Sequence, residues 1–423
     1  MNNTRGINEN PKLDSISIFF YALLVLIGLV NIYSATSDVN QTFSFSITSV
    51  SGRQVLWIGG SLLIILTIAF LNVAVIDYFA YGFYAITILL NIAVIFLGKE
   101  VSGAKSWFGF GGVGIQPSEF AKVGAALALA KFLGTYGIRF KGRKNILKAL
   151  GIFLLPMAII LVQNDTGSAL VFLAFFLVLY REGLPGYILL SALWLGILGI
   201  TGIIFIAKEI SHWWETGILS ALALFVIYLG RKNRQFVSAV ALITLISVVF
   251  SYGVRFAYTG VLKGYQRDRI ELILALKEDN KGAGYNLAQS QIAIGAGKIT
   301  GRGFLDGTQT KMGFVPEQHT DFIFCTIAEE WGFLGVLVFF LIYFGLLFRL
   351  VTLAERQTTV FGRVLGYSVT CIIFMHVAVN IGMTIGLVPV IGIPLPFISF
   401  GGSSLWAFTL LLFTFLKVDE KRR

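Results

Sequence analysis

Glu119 and Lys122 stand three residues apart at the head of an apolar run. On a helix that spacing puts a carboxylate and an ammonium on one face. There they either form a structural ion pair or helix cap, or face a polar cavity within a membrane. Asp165, in Gln163-Asn164-Asp165-Thr166-Gly167, lies between two short apolar runs and is placed to cap the helix that follows. Glu329 and Glu330 interrupt a third apolar run, and carboxylates inside a membrane usually face a polar cavity. Glu278 and Asp279 sit in a polar stretch just before Gly282 and Gly284, which let the backbone bend sharply. By charge pattern alone these two read as solvated loop acids, with general-base work as the alternative. His319, in Pro316-Glu317-Gln318-His319-Thr320-Asp321, reads by itself as a hydrogen-bonding structural residue. Thr320 or Asp321 is expected to cap the helix after it.

Other chemistries fail on composition or spacing. Gly295-Ala296-Gly297-Lys298-Ile299 has the glycines of a phosphate loop, but Ile299 stands where the fingerprint needs Ser or Thr. Nucleotide binding is rejected, and what survives is an anion-binding nest or a set of turns. Two cysteines, Cys325 and Cys371, exclude a disulfide scaffold and a thiolate zinc site. His212, His319 and His376 are too far apart in sequence to suggest a histidine-rich metal site.

The elements that position these residues follow from hydropathy. Of 423 residues, 56% are hydrophobic and only 13% charged, and the mean hydropathy is +0.82. Soluble chains carry about 25% charged residues, so a soluble globular enzyme is excluded, as is a disordered chain. Runs long enough to cross a bilayer fall near 16–36, 54–75, 78–97, 118–136, 147–163 and 166–180, then 186–207, 217–230, 235–256, 322–348, 362–385 and 403–417. The first is too long for a signal-peptide core and no convincing cleavage site follows it, so a retained span is expected. With the N-terminus in the cytosol, the inner segments hold 18 basic and 7 acidic residues, a surplus equal to the chain's whole net charge of +11. Short inner loops rich in Lys and Arg are what the positive-inside rule requires. The basic balance therefore reports topology and anionic inner-leaflet lipid, not nucleic acid.

Two outer segments remain. Residues 99–117 are Gly-rich, with Lys105, Trp107 and a Gln116-Pro117 turn, and residues 257–320 form the longest polar stretch. The latter carries eight basic and six acidic residues, a balance that suits a site holding an anion while keeping a carboxylate. No repeat of fixed period and no second domain is visible. Composition and spacing thus give an all-α polytopic membrane protein of about twelve helices with an outward-facing polar site, and no reaction.

Several segments together resemble the SEDS family (shape, elongation, division and sporulation) of membrane peptidoglycan glycosyltransferases. The matching stretches are Gly114 to Lys122, Gln163 to Leu170, Tyr265-Gln266-Arg267-Asp268-Arg269 and Gly282 to Ser290. A long match then runs from Gly307-Thr308-Gln309 to Glu329-Glu330, followed by Asn380-Ile381-Gly382-Met383 and Pro394 to Ser403. They occur in family order over nearly the whole chain. Gly307-Thr308-Gln309 and Pro394-Leu395-Pro396 are more similar to the elongation branch, RodA, than to the division branch, FtsW.

The resemblance implies a single SEDS-type membrane domain over 1–423, with residues 257–320 as its extracytoplasmic catalytic loop. The family has ten spans with one span ahead of the Tyr-Gln-Arg segment. Residues 186–256 supply three here, so two helices are read as inserted. Asn280 and Asn164 stand where the family usually or often has Pro, which implies local loop differences with the carboxylates retained. The implied reaction polymerises lipid II on the outer face of a bacterial cytoplasmic membrane, with both termini cytosolic. The acceptor 4-hydroxyl attacks the anomeric carbon of the lipid-linked strand, inverting it to a β-1,4 link, and undecaprenyl pyrophosphate leaves. Such chemistry needs a base for the hydroxyl and positive charge for the pyrophosphate. Asp279 matches the family's essential loop Asp and is assigned as general base, coordination of a divalent cation (Mg or Mn) being the lesser alternative. Lys105, Trp107, Glu119 and Lys122 match positions lining the family's central cavity. Arg267 and Arg269 are inferred pyrophosphate contacts, and His319, inside the long match, joins the substrate-binding candidates. The implied partners are a class B penicillin-binding transpeptidase and other membrane proteins of the elongation complex.

Two other readings compete. A lipid-linked precursor flippase would depend on Glu119, Lys122 and Asp165 and could spare Asp279. A non-catalytic scaffold would depend on no single polar residue.

Overall fold

The computed structural model describes residues 13–37, 49–101, 103–110, 113–135, 143–261, 267, 271, 283–388 and 390–420. They separate into two compact units, one of residues 1–184 with 286–423 and one of residues 185–285.

In the first unit, helices α1 (Ser15–Thr36), α2 (Val50–Phe70) and α3 (Val73–Leu97) lead into a small sheet. The apolar sequence continues across residues 71–72, and Asn72 divides it: its side chain accepts from Ala74 N at 3.0 Å and caps α3. The sheet has strands β1 (Lys99–Val101), β2 (Ala104–Phe110) and β3 (Val113–Ile115), antiparallel in the order β1-β2-β3. The Gly-rich segment 99–117 thus holds strands that the all-α expectation did not include. Glycine is a poor strand signal, yet Gly109 pairs with Gly114 here and the Trp107 ring packs over Gly114.

Pro117 then opens α4 (Pro117–Gly134) at a position where its missing N–H costs nothing. α5 (Arg143–Val162) follows, then α6 (Thr166–Val171) and α7 (Ala174–Arg181), which split the sixth expected span at residues 172–173. After the second unit the chain returns as α11 (Ala283–Ala296), α12 (Thr308–Lys311), α13 (Ile323–Glu355), α14 (Val360–Thr384) and α15 (Gly402–Glu420). α11 and α12 fall inside the stretch read as one long polar loop. α4 packs against α3, α5, α14 and α15. Its Gly124–Ala130 stretch, small residues except for Leu127 and Leu129, is wholly buried, and the small side chains let neighbouring backbones approach closely.

α13 is broken at Gly332, whose φ of 62° and ψ of −165° fall in a region open essentially only to glycine. Residues 297–303 fill the break. Arg302 N and Gly303 N donate to the carbonyls of Glu329 and Glu330 at 3.0 Å, and Phe333 N and Leu334 N donate to those of Lys298 and Ile299 at 2.9 and 3.0 Å. A Cβ at Gly332 would collide with Gly301 N and lie 2.8 Å from the carbonyl oxygens of Gly297 and Ile299. Gly332→Ala is therefore expected to destabilise by about 1–3 kcal/mol, read as a lower Tm in detergent. Gly151→Ala, in open space on α5, is the control and should change Tm little.

At one end of this unit the helices are tied by ion pairs. Asp14 caps α1 and accepts from Arg349 Nη2 at 2.5 Å. Arg356 meets Asp419, and Arg363 Nε meets Glu182 at 2.8 Å. Burial alone would raise the Asp14 carboxyl, but bonds from Arg349 and Ser17 outweigh it and hold it down at about 2.

In the second unit, α8 (Gly186–Ala207), α9 (His212–Gly230) and α10 (Arg234–Phe256) each pack on the other two, and a π-helical turn (Ala257–Val261) extends α10. Ten helices among the described residues are long and apolar enough to cross a membrane. The two remaining expected spans are α4, which carries Glu119, Lys122 and Lys131, and the short apolar stretch Thr166–Arg181.

Candidate functional site

The Glu119–Lys122 pair lies inside the first unit, both side chains at most 2% exposed. Lys122 Nζ donates to Glu119 Oε1 at 2.7 Å and lies 2.7 Å from His376 Nε2 on α14. His376 Nδ1 lies 3.1 Å from the Pro394 carbonyl oxygen. A carbonyl only accepts, so the ring proton sits on Nδ1 and Nε2 accepts from Lys122. The ammonium also faces the Phe408 ring at 5.3 Å. The result is a chain, Glu119–Lys122–His376–Pro394, in which one cation is shared by a carboxylate and a neutral imidazole. Glu119 Oε2 is buried and has no hydrogen-bond partner among the described residues.

Asp165 lies on the side of α4 that carries Gln116 and Ser118. It caps α6 as the sequence predicts, Oδ1 accepting from Ser168 N at 3.0 Å. Oδ2 accepts from Gln116 Nε2 at 2.8 Å and Ser118 Oγ at 3.4 Å. This ties two of the quoted sequence stretches to each other.

The cap expected from Thr320 or Asp321 does not form. α13 starts at Ile323 behind Phe322, without a side-chain cap. Asp321 instead stays half-buried ahead of the helix, its main-chain carbonyl accepting from Asn380 Nδ2 at 2.8 Å and its carboxyl lying against Gly392. Its carboxyl is pushed up to about 7, mainly by burial, with the negative charges of Glu317 and Asp165 adding to it. The folded chain keeps a proton that the unfolded chain, near 3.8, releases. Stability drawn from neutral Asp321 is full below about pH 4 and is lost by up to about 1.4 kcal/mol per unit as pH rises to about 7. Asp321→Asn cannot ionise, so its Tm relative to the parent chain should climb between about pH 4 and about pH 7. Parallel Tm curves would contradict this.

Glu329 is held by four donors. Thr308 Oγ1 and Gln309 N reach Oε1 at 3.2 and 2.8 Å, and Thr310 N and Oγ1 reach Oε2 at 2.9 and 2.8 Å. Its job is to seat Gly307-Thr308-Gln309 at the N-terminus of α12 on α13. Glu330 accepts from Ser34 Oγ on α1.

The remaining expected site residues are spread. Lys105 and Trp107, two apart on β2, share one face of the strand, and Lys105 Nζ donates to the Phe96 carbonyl at 3.2 Å. His319 packs its ring on Phe400, and its carbonyl accepts from Phe400 N at 2.9 Å. Burial, the largest influence, lowers its pKa, with Glu317 opposing and Arg53 assisting. His319 is therefore neutral at pH 7. In the second unit, Arg267 Nη2 donates to the Thr259 carbonyl at 2.5 Å and its guanidinium faces the Tyr258 ring at 5.8 Å. Asp279 and Arg269 lie outside the described residues. Among the described residues, no three His, Cys, Asp or Glu side chains gather where a metal ion could be held.

His376 was missed by sequence reasoning, which weighed it only as a metal ligand. The available signal was a histidine in the middle of the apolar run of α14, one turn before Asn380.

Helices of membrane-spanning length around a buried, charged interior define a multi-pass membrane protein with a polar core. The sequence matches the family model for FtsW, RodA and SpoVE, described as "Cell cycle protein", over residues 14–215 and 213–423. The chain belongs to this FtsW/RodA/SpoVE family. It is 33% identical to the peptidoglycan glycosyltransferase RodA of Treponema pallidum (strain Nichols), covering 95% of each chain. Against the peptidoglycan glycosyltransferase MrdB of Escherichia coli (strain K12) it is 32% identical over 95% of this chain and 93% of that one. Among solved structures, it matches a chain of a peptidoglycan synthase complex that coordinates polymerization and crosslinking (TM-score 0.69, 29% identity, 97% and 98% covered). It also matches the rod shape determining protein RodA of Thermus thermophilus (TM-score 0.61, 26% identity, 97% of each chain covered).

Proposed function

We infer that this chain is a peptidoglycan glycosyltransferase of the elongation type, joining lipid II into β-1,4 glycan strands and releasing undecaprenyl pyrophosphate. The observation that carries the reading is similarity over nearly the whole length to proteins that bear this activity in their names. The buried Glu119–Lys122–His376 chain fits it, since a polar interior suits a substrate with a charged, sugar-bearing head.

In this reading Asp279 removes the proton from the acceptor 4-hydroxyl. Arg267 and Arg269 take up charge developing on the pyrophosphate, where cations stabilise the departing group. Lys105, Trp107, Glu119 and Lys122 line the path of the lipid-linked substrate, and His319, neutral at pH 7, offers it a hydrogen bond. The chain crosses a bacterial cytoplasmic membrane twelve times with both termini in the cytosol. Ten of those helices form the family core, and residues 186–256 add two. The 257–320 segment then faces outward, where lipid II is polymerised. A class B penicillin-binding transpeptidase works beside it and crosslinks the product. Incubating the purified chain, with its transpeptidase, with labelled lipid II should give a ladder of muramidase-sensitive glycan. Unchanged lipid II with the partner and a divalent cation present would contradict the reading.

A further inference from the structure

The second unit carries a feature for which the polymerisation reaction has no use. Glu215, on the first turn of α9, is 7% exposed within three apolar helices. Its Oε2 accepts from Ser251 Oγ on α10 at 2.6 Å, and Oε1 has only a long contact, 3.4 Å, from Thr201 Oγ1 on α8. Among the described residues no cation pairs with it. A dipole at the start of α9 favours a carboxylate, but a buried carboxylate without a cation remains costly.

Four observations say what completes the site. Arg255 lines the same cleft as Glu215, with Gly202 opposite, and the two charges do not pair with each other. They therefore offer a carboxylate and a guanidinium to one ligand, which suits a zwitterion. The cleft that Glu215 and Arg255 line is tight, about 10 Å³, close to the volume that holds one water. So small a space favours a primary ammonium over a bulkier trimethylammonium. Along the same helices lies a cavity of about 150 Å³ lined mostly by apolar groups, among them Trp194, Leu219, Leu222, Val226 and Ile243. Leu219 follows Glu215 by four residues and Ser247, also on the cavity wall, precedes Ser251 by four, so the cavity lies one helical turn deeper on the same faces. Trp213 and Trp214, 68% and 67% exposed at the start of α9, place the cleft at the level of a membrane interface.

We propose that α8, α9 and α10 form a binding site for a phospholipid with a phosphate and a primary ammonium, the phosphatidylethanolamine class. Glu215 takes the ammonium, Arg255 takes the phosphate, and an acyl chain enters the cavity beside Trp194. The helices added to the family pattern thereby become a lipid-specific docking unit.

Trp194 supplies the readout. Protein in detergent is titrated with phosphatidylethanolamine, phosphatidylcholine or phosphatidylglycerol carrying brominated chains, and the Trp194 signal is taken as the parent chain minus Trp194→Phe. Phosphatidylethanolamine should quench this signal at about tenfold lower lipid content than phosphatidylcholine, the scale of one hydrogen bond to a charged group. Glu215→Gln, which keeps an acceptor for Ser251, should abolish that preference while leaving lipid II polymerisation unchanged. Gly202→Val, which fills the space beside an intact carboxylate, should abolish it too. Equal quenching by all three lipids, a preference that survives both variants, or preference for anionic phosphatidylglycerol would overturn the proposal. So would a Trp194 signal that no lipid quenches.

Discussion

Replacing Asp279 by Asn is expected to lower the polymerisation rate by about 10²–10⁴-fold, the usual contribution of a positioned general base. The amide has nearly the same shape and keeps a hydrogen-bond acceptor, but it cannot take the proton of the attacking hydroxyl at neutral pH. The loss should appear in kcat with little change in KM, because substrate binding does not require that proton transfer. Asp279→Ala should do no better than Asp279→Asn. Both variants should keep the parent Tm and bind the transpeptidase, which separates lost chemistry from lost fold. A rate within a few-fold of the parent chain would remove Asp279 from the reaction and leave Glu119 as the carboxylate to test.

Lys122→Met is expected to be the most damaging substitution within the helical interior. The ammonium donates to Glu119 and His376 at 2.7 Å each, and it is the cation that pairs with Glu119. Removing it leaves a carboxylate buried without a counter-charge and an imidazole acceptor without a donor. Breaking a buried pair from one side typically costs about 3–5 kcal/mol, enough to lower Tm and accumulation sharply. Glu119→Gln with Lys122→Met removes both charges, so the double variant should recover much of that stability. It should stay inactive if the pair handles substrate. A double variant that regains both stability and polymerisation would show the pair to be structural only. The cycle of single and double variants gives the coupling directly.

The sequence carried much of this architecture where local chemistry marks it. Apolar runs located the long helices, and Glu119 and Lys122 were legible as a pair because i, i+3 spacing on a helix needs no tertiary information. Asp165 was legible as a cap for the same reason. What stayed hidden depends on residues distant in the chain. His376 meets Lys122 across 254 positions. Asp321 looked like a helix cap because its sequence neighbours are polar, and only the tertiary structure shows its main-chain carbonyl bonded to Asn380 on α14 and its carboxyl against Gly392. The sheet at 99–115 was missed because its glycines give no strand pattern, although they are what allow the Trp107 ring to lie against β3. The stretch from Gly295 to Ile299 has the glycines of a phosphate loop, but the backbone of residues 297–303 completes the break in α13 at Gly332.

The central claim is that this chain forms glycosidic bonds itself, and counting the leaving group tests it most directly. The purified chain with its transpeptidase is given lipid II labelled in both sugar and lipid. Undecaprenyl pyrophosphate released is then measured against disaccharide incorporated. One pyrophosphate lipid per new glycosidic bond, absent with Asp279→Asn, is the predicted result. Lipid II that crosses a vesicle membrane with no pyrophosphate lipid released would contradict the account and identify a transporter.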